Sequence, residues 1–184
     1  MTNKDEDERG PQVFPGSVAT PSDREAPGSA RPDGDGRDPR GSGQGLRILA
    51  LDAGNATGTA LYSAGGLVQG VVRGRAAVYK LLANVEDLDA LAYERFTIRQ
   101  GLKEEHADVV YINGAVEHEA TRRGIPFYFY TPRQSKSRIS DELLQSLDWW
   151  PNFGLRTGGH AADATRILLC TLTDHYPSEM MKRA

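Results

Sequence analysis

A chain of 184 residues with a formal net charge of −3 is long enough for one domain plus appendages, and its bulk charge favours no class of charged partner. Its single cysteine, Cys170, excludes an internal disulfide framework. No apolar run approaches the ~18 residues that span a bilayer, and no apolar h-region of a secretory signal opens the chain, so a soluble cytoplasmic protein with no membrane partner is expected.

Residues 1–45 differ in character from the rest. They are rich in Pro, Gly, Ser, Asp and Arg and offer almost nothing to bury, so a disordered tail is predicted. The tail holds six basic and nine acidic residues, which leaves residues 46–184 neutral. From Leu46 the pattern becomes α/β. LRILALD predicts a central strand. GTALYS and LVQGVVRG predict two more, joined by a hairpin turn at Ala64-Gly65-Gly66. Ala76 to Val85 reads as a short helix and LDALAYERF as a buried strand. His106 to Arg123 carries Val109, Ile112, Val116 and Ala120 at helical spacing, and Gly124 and Pro126 end that helix. PFYFYTP predicts a further strand, stopped by Pro132. Ser140 is placed to N-cap a helix through Leu147 with Leu143, Leu144 and Leu147 on its apolar face. A last helix runs from His160 to His175 with Ala161, Ala164, Leu168 and Leu172 as its core stripe and Cys170 buried within it. This order predicts a mixed five-stranded sheet covered by helices.

Carboxylates are rarely buried unless they are paired or bind a metal. Yet Asp52 ends one predicted central strand and Glu94 follows Leu91, Ala92 and Tyr93 in another. His160 and Asp163, three residues apart, share a face at the start of the last helix. One reading is a metal site, since hard divalent cations take oxygen ligands and two-metal sites hold their ions about 3.5–4 Å apart between shared carboxylates. The other reading makes each acid a solvated strand end or helix cap. Gly54 and Gly58 suit a tight turn after Asp52 and a close approach by a phosphate or another chain; a plain hairpin accounts for them as well.

ALDAGNATGTAL resembles the first motif of RNase H-like enzymes of the RuvC type, a strand, an Asp and a turn ending in Thr-Gly. AYERF resembles their second motif, GAVEHEATRRGIPFYFYTPRQSK the helix, strand and Lys-bearing segment that follow, and GGHAADATRILLCTL their closing motif. The resemblance spans roughly residues 46–175 and is closest to the short RuvC-like Holliday-junction resolvases of actinobacterial phages. It implies an RNase H-like fold, with Asp52, Glu94, His160 and Asp163 as metal ligands and Lys136 approaching the scissile strand. It implies hydrolysis of a DNA phosphodiester with two Mg²⁺ ions, Mn²⁺ substituting, to leave 5′-phosphate ends. It also implies a homodimer acting on four-way DNA junctions in recombination or repair. The chain departs from the family at Ala53, where Pro is usual, at Phe96, which follows the second acid by two residues rather than three, and at His160, which replaces a carboxylate.

For phosphate contact, Arg133, Lys136 and Arg138 lead, with Arg95 and Arg99 next and Arg122, Arg123 and Arg156 behind them. Trp149 and Trp150 suit either base stacking or the core, and the core is favoured for one ring. Three other readings compete. A sugar-kinase-like ATPase also opens with a strand, Asp-x-Gly and a glycine turn. A junction-binding protein without catalysis would account for His160. A fork, flap or RNA–DNA hybrid nuclease would use the same ligands on another substrate.

Overall fold

The computed structural model describes residues 45–95, 104–151 and 158–181. The expected tail, Phe96, Arg99 and Arg156 lie outside them. The elements are β1 (Ile48–Asp52), β2 (Ala56–Ser63), β3 (Gly66–Arg73), α1 (Arg75–Asn84), β4 (Ala90–Glu94), α2 (Glu104–Arg123), β5 (Phe127–Tyr130), α3 (Pro132–Arg138), α4 (Asp141–Ser146), α5 (Gly158–His175) and α6 (Pro177–Met181). They form one five-stranded sheet in the order β3-β2-β1-β4-β5. The β1–β2–β3 meander is antiparallel, whereas β4 and β5 run parallel to β1. The mixed sheet expected from the sequence is therefore present. No described helix is long and apolar enough to cross a membrane.

Strand β1 is central, and all five of its residues are buried. Alternation along it divides two cores. Leu49 and Leu51, with Leu91 and Tyr93 of β4, pack against Val78 and Leu82 of α1 and Ile112, Val116 and Ala120 of α2. Ile48 and Ala50, with Ala60, Ala90 and Ala92, face α5. The first face carries large side chains and the second mostly alanine, so α5 lies closer to the sheet than α1 or α2. Its own buried stripe begins Ala161, Ala162, Ala164 and continues through Leu168 and Leu172.

The closest approach is at Gly58. This residue does not belong to the turn after Asp52; it sits inside β2, paired with Asp52 across the ladder. A Cβ at Gly58 would lie 1.9 Å from the His160 carbonyl oxygen. The glycine therefore admits neither a phosphate nor another chain but the backbone of α5 itself. The turn proper is held by Thr57, whose hydroxyl donates to the Gly54 carbonyl at 2.7 Å and accepts from the Gly54 amide at 3.3 Å.

Three further expectations are corrected. Leu143 and Leu147 are exposed, at 38% and 37%, and Leu144 alone of that trio is fully buried, because α4 is short and touches the core on one side. Pro132 ends β5 but also starts α3: it occupies the first turn behind the Thr131 cap, whose hydroxyl and the Gln134 side chain form a capping box. Helix α6, absent from the sequence reading, follows α5 after a one-residue break at Tyr176. Ser140 does cap α4, its hydroxyl accepting from the Leu143 amide at 3.2 Å.

At the far end of the α1–α2 layer, Arg123 ties α2 to α1. Its guanidinium donates to the carbonyl oxygens of Leu82 and Val85 at the end of α1 and, through Nε, to Glu119 at 2.6 Å. Glu119 also accepts from Arg122, and these partners hold its carboxyl down at about 2. Because the folded value is depressed, the stabilisation is complete above the unfolded carboxylate range near ~4.3 and is lost as pH falls toward the folded value.

Gly58→Ala is expected to cost about 3 kcal/mol or more in urea denaturation, since backbone must move to make room; a change below about 1 kcal/mol would show that the crossing is not tight. Glu119→Gln is expected to lower the thermal midpoint at pH 7 by an amount that shrinks steadily between pH 4 and pH 2; a loss independent of pH would exclude the ion pair as its cause.

Candidate functional site

The parity that sends Ile48 and Ala50 toward α5 sends Asp52 there too, and Glu94 follows Ala90 and Ala92 in the same way. The parallel register that pairs Leu51 with Tyr93 makes Asp52 and Glu94 neighbours one step further on, at the ends of their strands. Helix α5, seated on Gly58 and the alanines, brings His160 and Asp163 over these two acids.

Asp52 is 7% exposed. His160 Nδ1 lies 2.8 Å from its Oδ2, and an Nδ1–H donating there leaves Nε2 directed away from the pair. Burial pushes the Asp52 carboxyl up; the His160 hydrogen bond opposes this, and the charge of Asp163 adds to it. Glu94 is pushed up to about 7, first by burial and then by the charges of Asp52 and Asp163, with Lys136 opposing. Its Oε2 is buried without a hydrogen-bond partner. The strand end that carries Glu94 is fixed from α2, where Asn113 Nδ2 donates to the Glu94 carbonyl at 3.2 Å.

Asp163 has one cation on each oxygen. Lys136 Nζ of α3 is 3.0 Å from Oδ2, and Arg166 Nη1 is 2.5 Å from Oδ1. Internal cations thus take up the Asp163 oxygens, and His160 takes one oxygen of Asp52. Among the described residues no three His, Cys, Asp or Glu side chains stand gathered to hold an ion in their present rotamers. The donor set still fits a hard divalent cation: Asp52, Glu94 and Asp163 supply oxygen only, the charge of Asp163 bears on the other two, and a buried Glu94 oxygen is left unpartnered. A cation among them would relieve that burial and repulsion together.

The structure therefore brings Asp52, Glu94, His160, Asp163 and Lys136 to one end of the sheet. The other expected phosphate contacts are more scattered. Arg133 is exposed on α3. Arg95 stacks over the Phe129 ring at 4.5 Å. Arg138 is engaged by Asp174, at 2.7 and 2.6 Å through its two Nη atoms, and links α3 to α5. Arg122 spends its charge on Glu119. Trp149 is a core residue, tilted against Tyr62, while Trp150 is half-buried with the Arg166 guanidinium over its ring at 5.9 Å. Sequence reasoning missed Arg166 and Asn113. The signal for Arg166 was present, an arginine one helical turn after Asp163; nothing in the sequence marks Asn113.

Because the folded Glu94 carboxyl binds its proton more tightly than the unfolded one, stability falls as pH rises from about 4.5 to 7 and stays lower above. In chelator, Glu94→Gln is therefore expected to raise the thermal midpoint by several degrees at pH 8 and to leave it unchanged at pH 4. A lower midpoint at pH 8 would contradict the repulsion.

No protein-family model matches the chain, and no curated protein matches it. Solved structures do. RuvC of Thermus thermophilus in complex with a Holliday junction substrate is 23% identical, with 67% of this chain and 90% of that one covered and a TM-score of 0.50. Another structure of Thermus thermophilus RuvC is 21% identical, covering 67% and 92%, at a TM-score of 0.49. The yeast mitochondrial Holliday junction resolvase Ydc2 is 16% identical, covering 66% and 75%, at a TM-score of 0.45. The chain has the RNase H-like fold of RuvC.

Proposed function

We propose that this chain is a metal-dependent endodeoxyribonuclease that cleaves four-way DNA junctions. The observation that carries the reading is the placement of Asp52 and Glu94 on adjacent strand ends beneath Asp163, where the charges of Asp52 and Asp163 bear on Glu94, on the fold of a protein solved with a Holliday junction. Asp52, Glu94 and Asp163 would hold Mg²⁺ or Mn²⁺, with His160 as a fourth ligand or as a proton donor through Nε2. When bound, two such ions supply a metal-activated water and stabilise the charge that develops on the leaving 3′ oxygen.

The chain's own residues do the rest. Strand ends β1 and β4 keep two carboxylates in fixed register, and the α5 backbone against Gly58 keeps the third above them. Lys136, with its side chain 54% exposed, is the cation able to leave Asp163 and meet a phosphate. Arg133 and Arg95 extend positive charge outward from the same end of the sheet; Arg99, outside the described residues, stays among the expected phosphate contacts. A homodimer would present two such sites to opposed strands of a junction.

A phosphate-binding ATPase reading finds no support at Gly58, where protein backbone fills the space a phosphate would need. A fork, flap or RNA–DNA hybrid nuclease would share the acids and differ only in its binding surface. The full chain, assayed on four-way junctions, forks, flaps, hybrids and plain duplex, separates these readings.

Junction cleavage is expected to require Mg²⁺, to stop with EDTA, and to yield 5′-phosphate ends. Asp52→Asn, Glu94→Gln and Asp163→Asn are each expected to reduce it on the order of 10³-fold or more, and Lys136→Met about 10²-fold, with junction binding retained in the acid variants. Cleavage by Asp52→Asn at the wild-type rate, or no cleavage of any branched DNA by the wild type, would sink the proposal.

A further inference from the structure

Asp163 is flanked by two cations of very different character. Lys136 lies on an exposed side chain and reaches Oδ2 by a single point contact. Arg166 is 7% exposed and makes four contacts. Its Nη1 donates to Asp163 Oδ1 at 2.5 Å, its Nη2 to Asp141 Oδ1 on α4, and its Nε to the Ile139 carbonyl oxygen at 3.2 Å, while its Cζ sits 5.9 Å from the centre of the Trp150 ring. Asp163 and Arg166 share a face of α5 one turn apart, but Ile139 and Asp141 belong to the α3–α4 segment. The guanidinium is thus fixed by points on two separate elements. An arginine fork held at three corners has no freedom to follow a moving carboxylate, so it sets where Oδ1 is and, through it, the plane of the Asp163 carboxylate.

We propose that Arg166 is the positioning residue for Asp163, locking Oδ1 so that Oδ2 is the oxygen offered to a divalent cation once Lys136 leaves it. The inference rests on the reading of Asp163 as a metal ligand. It divides the two cations by role: Lys136 exchanges Asp163 for substrate phosphate, and Arg166 stays. Asp141, its side chain 55% exposed, is the outer anchor that keeps the fork turned.

The test is Mn²⁺ binding to the full chain without DNA, followed by calorimetry, together with the Mg²⁺ dependence of junction cleavage. Arg166→Lys keeps the charge but loses the fork. It is expected to weaken Mn²⁺ binding about 10–100-fold, the usual effect of removing a group that orients a ligand. The half-saturating Mg²⁺ concentration for cleavage should rise by a similar factor, with activity recovering at high Mg²⁺ and junction affinity unchanged. Asp141→Asn is expected to weaken Mn²⁺ binding in the same direction by about threefold or more. Wild-type Mn²⁺ affinity in folded Arg166→Lys, or tighter binding, would overturn the proposal and make Arg166 a charge competitor. Should Arg166→Lys lose its far-UV circular dichroism, Asp141→Asn decides, and an unchanged affinity there overturns it. The control is Asp52→Asn. If it binds Mn²⁺ as the wild type does, the metal-site reading itself has failed; if it loses Mn²⁺ while Arg166→Lys does not, only the role of Arg166 has.

Discussion

The backbone crossing of α5 over β2 at Gly58 is the constraint on which the rest of this structure depends. A helix normally packs on a sheet through a layer of side chains. Here the sheet face is built from Ala50, Ala60, Ala90 and Ala92, the helix answers with Ala161 and Ala164, and at Gly58 even the methyl is gone. The helix is thereby brought close enough for the short side chains at its N-terminal end to reach strand ends. His160 meets Asp52 at 2.8 Å only because its own carbonyl occupies the place of a Gly58 side chain. A leucine layer between helix and sheet would have kept those groups apart. The opposite face is built from the larger Leu49, Leu51, Leu91 and Tyr93 and carries none of the acids gathered under α5.

This closeness has an electrostatic cost. Three carboxylates share a partly buried space, and two of them are pushed up by burial, Asp52 also by the charge of Asp163 and Glu94 by the charges of Asp52 and Asp163. The fold offsets the cost with His160, Lys136 and Arg166 but leaves Glu94 without a partner for Oε2. Elsewhere Glu119 rests on two arginines and Asp174 on Arg138. Among the described residues Glu94 is the one carboxylate with a buried oxygen left without a hydrogen-bond partner. Concentrated, unrelieved charge on an otherwise well-packed fold is what the proposed metal site would require, function being kept there at the expense of stability.

Much of this was legible in the sequence. Among the described residues, strand and helix periodicity identified the five strands and four of the six helices, and the oddity of acids in apolar strands singled out Asp52 and Glu94. What escaped were features that depend on distance between elements. Gly58 reads as a turn residue because glycine after Asp-x-Gly usually is one; that it is a crossing point follows only from the placement of α5. Pro132 reads as a stop, and its second role at the start of α3 needed the Thr131–Gln134 capping box to be noticed. Leu143 and Leu147 obey helical spacing yet face outward, since a six-residue helix has too little length to bury a full stripe. Arg138 looked like a phosphate contact because its sequence neighbours are basic; its partner Asp174 lies 36 residues away.

The site and the core are two stripes of one helix. His160, Asp163 and Arg166 recur every three residues, slightly short of the helical repeat, so the row slants around α5 as it ascends. Side-chain exposure falls along it from 46% to 18% to 8%, from solvent into the protein. Each position matches its partner. The outermost, His160, touches one acid and keeps a ring nitrogen turned outward. The middle one, Asp163, has an oxygen toward the exposed Lys136 and an oxygen toward the buried Arg166. The innermost is anchored to backbone and to α4 and does not face the acids on the strands. A straight row of identical exposure could not combine a solvent-facing end with a buried, multiply anchored one. The three-residue spacing supplies both on a helix that the alanine stripe beside it lets pack close to the sheet.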